Sequence, residues 1–321
     1  MDFLTIPPQK AATTKIDIYI LAGQSNASGT TKIELADPGE RDLNRYEAVR
    51  YYTNRADTDG TFPCPPHTDF CAVAEGLGYN ETRIGPELGM AQALAPHYDT
   101  EAHFSLILKV AAGGTSIRFH DGLVPTAEGT LKRYLARGSW CPPCMESGEN
   151  TDPARPSGFL LRAAQNHICE CLQKLLTLGF RAENIRFCAL CWMQGETDRK
   201  HPADYPGYFH PLMADIRRSL SEAAKTDYTK LPVIVGEISE TFFSAQPDAV
   251  AANRAFIQCQ HRLAETDPTV TVLPTGKYQL CKLGADGEDI PLGTDHMHWA
   301  YRDMLPVGRL FGEAAYRLSH N

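Results

Sequence analysis

Strand-like and helix-like segments alternate along most of this chain, and this alternation constrains the fold more than any other feature. Short apolar runs predict strands at 16–22, 104–110, 185–192, 233–236 and 269–273. The patterns between them predict helices at about 86–95, 159–178, 208–224, 248–265 and 303–318. Such an alternation is typical of an α/β fold, here a three-layer α/β/α sandwich around a mainly parallel central sheet.

Two stretches of the chain show neither pattern. Residues from about 27 to 82 and from about 121 to 156 are irregular and rich in turn-forming residues. Loops of this length are usually functional. Since no clean linker or internal repeat interrupts the chain, we predict a single domain over 1–321 that carries these stretches as loop inserts.

Composition limits the partners that we expect. The net charge of −8, without a long basic stretch, argues against a nucleic-acid partner. No apolar run approaches the ~20 residues of a membrane span, so no membrane partner is expected. The N-terminus lacks the basic start and apolar core of a signal peptide. The expected compartment is therefore the cytoplasm, or the cell exterior if a leader has been removed.

Polar or glycine-rich turns follow the first three predicted strands. Ser25, in the sequence Gly-Gln-Ser-Asn, follows the first strand, Gly114 the second, and Gln194 the third. Because ligands bind beyond the carboxyl ends of parallel strands, these turns are expected to converge on one rim. A serine in a turn usually bonds only its own backbone. The other two turns favour Ser25 as a nucleophile instead.

The candidate base lies near the C-terminus. Asp295 and His298 are three residues apart just ahead of the last predicted helix, so the carboxylate can hold the imidazole while its far nitrogen faces Ser25. An Asp-x-x-His pair alone is weak evidence, because most such pairs are surface or capping residues. His296 is more simply a turn or rim residue.

An oxyanion hole needs N–H donors, which backbone groups and amide side chains supply. The candidates are the N–H groups of Ser25 and Gly114 and the side-chain amide of Gln194. Glu196 could fix a loop behind the site or could simply be a carboxylate at the start of a helix, and the first role is the one we expect. Gly114 can equally form a structural turn, and Gln194 can equally be a surface amide.

Together these residues resemble the SGNH hydrolase superfamily, specifically its sialate O-acetylesterase and acetylxylan esterase branch. The matching segments, in the family's order, are 23–26, 84–89, 113–117, 192–198 and 295–298. The resemblance implies an SGNH, flavodoxin-like fold with Ser25 as nucleophile, His298 as general base and Asp295 as its orienter. It also implies the oxyanion hole of Ser25, Gly114 and Gln194.

The function that this resemblance implies is a serine esterase that removes O-acetyl groups from a carbohydrate through an acyl-enzyme, without a cofactor or catalytic metal. One alternative is a lipase- or thioesterase-like hydrolase of a non-sugar ester, which predicts an apolar acyl tunnel. Another is a non-catalytic sugar-binding module, which predicts a broken constellation, although all three triad residues are present. The expected partner is an acetylated carbohydrate or another small ester.

Several residues in or near the two irregular stretches are open to two interpretations. Arg118 follows the oxyanion turn and lines either the substrate site or an ordinary loop. Tyr51, Tyr52 and Trp140 either stack on sugar rings or pack the inserts against the body of the protein.

Four cysteines lie in the same stretches, namely Cys64, Cys71, Cys141 and Cys144. They could form disulfides, hold a structural zinc ion, or remain free thiols. The second pair has the Cys-x₂-Cys spacing of zinc ligands, but the first pair does not match common zinc ribbons.

Overall fold

The computed structural model describes residues 8–53, 67–118, 123–125, 131–133, 139–145, 158–242, 246–278 and 297–320. The strands are β1 (Lys15–Gly23), β2 (Thr31–Lys32), β3 (Tyr46–Thr53), β4 (His67–Val73), β5 (Arg83–Ile84), β6 (His103–Ala111), β7 (Leu123–Pro125), β8 (Leu131–Arg133), β9 (Ile185–Met193), β10 (Val233–Gly236) and β11 (Val270–Leu273). The α-helices are α1 (Pro8–Ala11), α2 (Ser25–Ser28), α3 (Pro86–Leu94), α4 (Phe159–Thr177), α5 (Tyr205–Ala224), α6 (Pro247–Thr266) and α7 (Tyr301–His320).

A seven-stranded sheet in the order β11-β10-β9-β1-β6-β3-β4 forms the centre of the fold. All neighbouring strands in it run parallel except β4, which pairs antiparallel with β3 at one edge. The predicted mainly parallel α/β fold is confirmed. The position of β1 in the middle of the sheet explains its nearly continuous apolar sequence, because a central parallel strand is covered on both faces.

Helices cover both faces of this sheet. Side chains of α4, α5 and α6 form one apolar cluster with Ile16, Ile18 and Ile20 of β1. Side chains of α3 and α7 form a second cluster with Tyr19 and Leu21. Successive side chains of a strand point to opposite faces, so β1 contributes alternately to the two cores. Among the described residues, no helix is both long and apolar enough to cross a membrane.

The expectation that residues 27–82 form only an irregular insert was wrong over two segments. β3 and β4 both lie in this stretch and belong to the central sheet. The sequence of β3 is partly polar because the strand contains Arg50, which is fully buried, and its partner Glu47. Pairing with β6 supplies the stability that local sequence does not indicate. The single-domain organisation stays a prediction.

Helices α3 and α7 approach each other closely enough for backbone atoms to touch. A Cβ on Gly308 would lie 2.3 Å from the Pro86 carbonyl oxygen, and one on Gly89 would lie 2.2 Å from that of Leu305. Real Cβ atoms do not tolerate such distances, so only glycine fits at both positions. This contact sets the position of α7, and therefore of the residues that immediately precede it.

Gly308→Ala is expected to lower the free energy of unfolding by about 1–3 kcal/mol, because the added methyl group overpacks the α3–α7 contact. Gly207→Ala is the matched control. A Cβ on Gly207 in α5 meets no atom within 4 Å, and alanine is the better helix former. Denaturant unfolding of both variants checks this, and equal stability of the two would contradict the account of the helix contact.

A charged cluster lies at the amino end of the sheet, opposite the carboxyl ends. The carboxylate of Asp17 accepts from Arg186 Nε at 3.0 Å and Nη2 at 2.8 Å and from the Tyr98 hydroxyl at 2.9 Å. It also lies 3.1 Å from Nε2 of His320 at the end of α7. Burial opposes ionisation of Asp17, but Arg186 and Tyr98 outweigh it, so its pKa lies below the ordinary 3.8.

A carboxylate with a lowered pKa stabilises the fold above its unfolded pKa, and this contribution is lost as pH falls through the folded value. Asp17→Asn is therefore expected to cost about 1.5–3 kcal/mol near neutral pH, with a difference from wild type that shrinks below about pH 4. Glu183→Gln removes a carboxylate from an exposed pair and is expected to change little. Unfolding curves of both variants and the wild type, from neutral pH to below about pH 4, provide the measurement. A stability difference between Asp17→Asn and wild type that does not change with pH would contradict the role assigned to Asp17.

Candidate active site

Ser25 stands at the carboxyl end of β1, where the chain passes from strand to helix. Gly23, the last residue of β1, has a φ of +141°, which residues with side chains rarely adopt. A Cβ there would lie 2.0 Å from the carbonyl oxygen of Met193 at the end of β9. Only glycine permits this approach, which places Ser25 at the first position of α2 with a partly exposed side chain.

Hydrogen bonds fix the Ser25 turn to both strands beside β1. Ala112, which follows β6, donates its N–H to the Gly23 carbonyl at 3.1 Å. On the other side, the carboxamide oxygen of Gln24 accepts from the N–H of Gly195, after β9, at 3.4 Å. The turns after β1, β6 and β9 therefore meet at one edge of the sheet, as the sequence predicted.

Asn26 connects the nucleophile turn to two distant parts of the chain. Its side-chain nitrogen donates to Glu196 Oε1 at 2.7 Å and to the carbonyl oxygen of Met297 at 3.4 Å. Asn26 and Glu196 are both buried, with 1% and 2% exposure. Since Glu196 follows β9 and Met297 precedes α7, one amide joins three segments of the site.

His298 is held by hydrogen bonds to the residues on either side of it. The preceding carbonyl accepts from Asn26, and the carbonyl of Trp299 accepts from the Thr31 hydroxyl at 2.7 Å. Asn26 and Thr31 both lie within a few residues of Ser25. The histidine is thus fixed beside the nucleophile turn, and its side chain is partly exposed.

Of the two carboxylates considered near His298, the structure describes that of Glu196 but not that of Asp295. Asp295 and the neighbouring His296 lie outside the described residues, so the pairing of Asp295 with His298 stays a prediction. Burial raises the pKa of Glu196, and hydrogen bonds together with the charges of His298 and Arg199 offset part of this effect. Glu196 Oε2 is buried without a hydrogen-bond partner among the described residues.

Asp198, in the turn after β9, holds the turn after β6 in place. The sequence pattern did not indicate this role. Asp198, which is buried, accepts from the hydroxyl of Ser116 and from the Ile117 N–H at 2.9 Å. It also accepts from the amide of Gln194. The braced turn contains Gly114, whose φ of +70° favours glycine. Asp198 therefore fixes the shape of the predicted oxyanion turn.

The predicted use of Gln194 as a side-chain donor does not match the hydrogen bonds of this structure. Its amide nitrogen donates to the Thr115 carbonyl at 3.1 Å and to Asp198, and the Tyr205 hydroxyl donates to its oxygen at 2.9 Å. An amide has two N–H donors, and both are engaged here on a side chain that is 1% exposed. In this arrangement Gln194 supports the turn rather than facing a ligand.

Arg118 is held by acidic residues beside the same turn. Its Nη1 atom lies 3.0 Å from Asp204 Oδ2, and its Nε atom lies 3.6 Å from Asp198 Oδ1. These contacts connect Arg118 to the beginning of α5. A contact between Arg118 and substrate stays a prediction.

The aromatic residues that were considered for sugar stacking are buried in the body of the protein. Tyr51 and Trp140 are fully buried, and Tyr52 is 3% exposed. Trp140 packs edge-to-face on Trp192 with ring centroids 5.1 Å apart. These residues therefore do not offer faces to a sugar, and the packing alternative is the one that the structure supports.

Three of the four cysteines lie in the described part of the chain. Cys64 lies outside the described residues, whereas Cys144 is exposed with a free thiol, so it is not disulfide-bonded to Cys141. Within the described parts of the chain, no group of three or more His, Cys, Asp or Glu side chains could hold a metal ion. A structural zinc site that includes Cys64 stays a prediction.

A known protein family matches the part of the chain that bears the first two turns of this site. Residues 15–137, which include the turns at Ser25 and Gly114, match the family described as carbohydrate esterase, sialic acid-specific acetylesterase. The match confirms the predicted family and the prediction of a carboxylic ester hydrolase, and it supports esterase activity on acetylated sugars. A comparison with curated protein sequences finds no match.

Solved structures of similar fold match most of the chain. The crystal structure of NanS matches with a TM-score of 0.59 and 14% identity, covering 95% of this chain and 98% of that one. A protein from Arabidopsis thaliana matches with a TM-score of 0.56 and 16% identity, covering 95% and 99%. A carbohydrate acetylesterase from Xanthomonas citri matches with a TM-score of 0.52 and 12% identity, covering 95% of this chain and 57% of that one.

Asn26→Ala is expected to lower both stability and activity. It leaves the buried carboxylate of Glu196 without its donor, which costs about 1–3 kcal/mol. It also releases the residue before His298, so kcat should fall by about 10-fold to 100-fold through misplacement of the imidazole.

Asn184→Ala is the matched control for this change. Its side chain donates one hydrogen bond, to the Ala12 carbonyl at 3.0 Å, far from the carboxyl ends of the strands. Unfolding curves and p-nitrophenyl acetate hydrolysis of both variants are the measurements. The assigned bridge is contradicted if kcat falls equally in both variants or in neither.

Proposed function

We propose that this chain is a serine esterase that removes O-acetyl groups from a carbohydrate through an acyl-enzyme formed on Ser25. The observation that carries the proposal is the Asn26 bridge, which holds the His298 loop against the turn that bears Ser25. Both side chains are partly exposed at the edge of the sheet where parallel α/β folds bind ligands. The family match over residues 15–137 supports the same chemistry.

In the acylation step, His298 accepts the proton of the Ser25 hydroxyl as its oxygen attacks the acetyl carbonyl carbon. The carbonyl oxygen becomes a tetrahedral oxyanion. When this intermediate collapses, the bond between the acetyl carbon and the sugar oxygen breaks. The imidazolium of His298 then donates its proton to that oxygen, so the sugar leaves with a hydroxyl group.

Deacylation repeats the same proton transfers with water in place of the sugar. His298 accepts a proton from water, whose oxygen attacks the acetyl-Ser25 ester. The second tetrahedral intermediate releases acetate, and the imidazolium returns a proton to Ser25. No cofactor takes part in this sequence.

The positive charge that forms on His298 needs negative charge nearby. Asp295 is proposed to accept a hydrogen bond from the imidazole and to fix its orientation. The buried carboxylate of Glu196, which interacts with the charge of His298, is proposed to stabilise the imidazolium from a second direction. Its hydrogen bond from Asn26 keeps that carboxylate in place.

The oxyanion is proposed to bind to the backbone N–H groups of Ser25 and Gly114. Asp198 and Gln194 support this arrangement because they hold the turn that carries Gly114. A third donor from the Gln194 amide requires one of its present hydrogen bonds to open. Loss of one oxyanion donor typically lowers the rate by a factor on the order of 10²–10³.

The proposed substrate is an O-acetylated sugar of the sialate or xylan type. A sialic acid is the substrate named in the description of the matching family. The similar structure from Xanthomonas citri is described as that of a carbohydrate acetylesterase.

Ser25→Ala is expected to reduce kcat for p-nitrophenyl acetate and for an acetylated sugar by a factor on the order of 10⁴–10⁶, because no other group supplies the attacking oxygen. Ser28→Ala is the matched control, since Ser28 lies in the same short helix and donates to the Gln24 carbonyl at 3.2 Å. Acetate release and circular dichroism of both variants are the measurements. Substantial activity in a folded Ser25→Ala protein would contradict the proposal.

A further inference from the structure

Glu87, in the first turn of α3, and Lys109 of β6 form an ion pair in the interior of the protein. Lys109 Nζ lies 3.0 Å from Glu87 Oε2, and both side chains are buried. Taking two charges out of water is costly, and a buried ion pair is often no more stabilising than two well-packed apolar side chains. Fold stability alone therefore does not explain why this pair is there.

The ion pair also holds the backbone of two nearby segments. The other carboxylate oxygen of Glu87, Oε1, accepts from the N–H of Gly85 at 2.8 Å. Lys109 Nζ donates to the carbonyl oxygen of Leu77 at 3.3 Å, and the Tyr51 hydroxyl donates to the same oxygen at 3.2 Å. The backbone at Gly85 and at Leu77 is thus tied to one pair of buried charges.

Both of these segments contact Gly29, the residue that ends the short helix α2. The Gly29 N–H donates to the carbonyl of Ser25 at 3.0 Å. A Cβ on Gly29 would lie 2.7 Å from the Cα of Gly85 and 2.9 Å from that of Gly78. The Tyr79 N–H donates to the Gly29 carbonyl at 2.7 Å. Backbone atoms therefore enclose the end of α2 from two segments, and a shift of either segment would move the helix that bears Ser25.

The strand that follows α2 extends this contact to His298. Thr31 of β2 pairs with Ile84 of β5, which directly precedes Gly85. The Thr31 hydroxyl donates to the carbonyl of Trp299, the residue after His298, at 2.7 Å. Movement of Gly85 would therefore disturb the loop of His298 as well as the end of α2.

We propose that Glu87 is a positioning residue that acts on Ser25 through the backbone of Gly85. It holds Gly85 against the end of α2 and so keeps the Ser25 hydroxyl within reach of His298. This inference rests on the proposed acetylesterase function. The competing interpretation is that Glu87 only stabilises the first turn of α3, in which case its loss lowers stability but leaves turnover by the folded protein unchanged.

Two double variants isolate the hydrogen bond to Gly85. Glu87→Leu/Lys109→Met removes both charges and the acceptor for the Gly85 N–H, whereas Glu87→Gln/Lys109→Met removes the same charges but keeps a side-chain carbonyl acceptor. The first is expected to lower kcat for p-nitrophenyl acetate by about 10-fold to 100-fold, because the chemical step depends on the placement of the reacting groups. KM should change less than about 3-fold, and the second variant should keep kcat within about 3-fold of wild type.

Leu175→Ala is the control for a loss of stability alone. Leu175 is fully buried near the end of α4, in the apolar cluster on the opposite face of the sheet from α3. Its truncation destabilises the fold and is expected to leave kcat unchanged. The proposal is overturned if Glu87→Leu/Lys109→Met keeps the wild-type kcat, if both double variants lose kcat equally, or if Leu175→Ala loses as much.

Gly85→Ala tests the same contact with the ion pair intact, and it replaces the first double variant if that protein does not fold. A Cβ on Gly85 would lie 2.7 Å from the Cα of Gly29, so the two segments must move apart. A similar fall in kcat is expected. Wild-type kcat in this variant would also overturn the proposal.

Hydrogen exchange separates this proposal from the proposed function, because it does not depend on catalysis. The backbone amides of residues 25–32 are expected to exchange faster in Glu87→Leu/Lys109→Met than in Glu87→Gln/Lys109→Met or Leu175→Ala. Faster exchange supports the positioning role even if Ser25 proves not to be the nucleophile. Unchanged exchange rejects that role even if Ser25-dependent hydrolysis is observed.

Discussion

The close approach of β1 and β9 at their carboxyl ends is the constraint on which the site depends. Gly23 lies against the carbonyl of Met193 at a distance that no side chain permits. This contact turns the chain sharply at the centre of the sheet, where the neighbouring strands β6 and β9 end as well. The turns that follow these strands can then bond to the nucleophile turn directly, because they are adjacent in space although distant in sequence.

Buried polar side chains convert that adjacency into a rigid site. Asn26 joins the Ser25 turn to Glu196 and to the loop before α7, and Asp198 joins the turns after β6 and β9. In a low-dielectric interior such hydrogen bonds are strong, and losing one partner is costly. The glycine contacts between α3 and α7 fix the same loop from the other side, since α7 begins three residues after His298. Packing and hydrogen bonding therefore act together on the position of the imidazole.

Much of the fold was predictable from sequence because its long elements have clear periodicity. β1, α4 and α5 lie within a few residues of their predicted bounds. β3 was missed because a buried arginine interrupts its apolar pattern, and only pairing with β6 reveals the strand.

The site could be predicted only as a set of converging turns. The partners of Asn26 are 170 and 271 residues away, and two of the partners of Asp198 are 81 and 82 residues away. No local pattern specifies these contacts. The burial of Trp140 against Trp192 is equally a product of tertiary packing.

The central claim is that Ser25 carries the acetyl group during turnover. Mass spectrometry tests this claim most directly, on protein that is quenched in acid during hydrolysis of an acetylated sugar. The account predicts one added acetyl group on the peptide that contains Ser25. Rapid turnover with the acetyl group on another residue would contradict it.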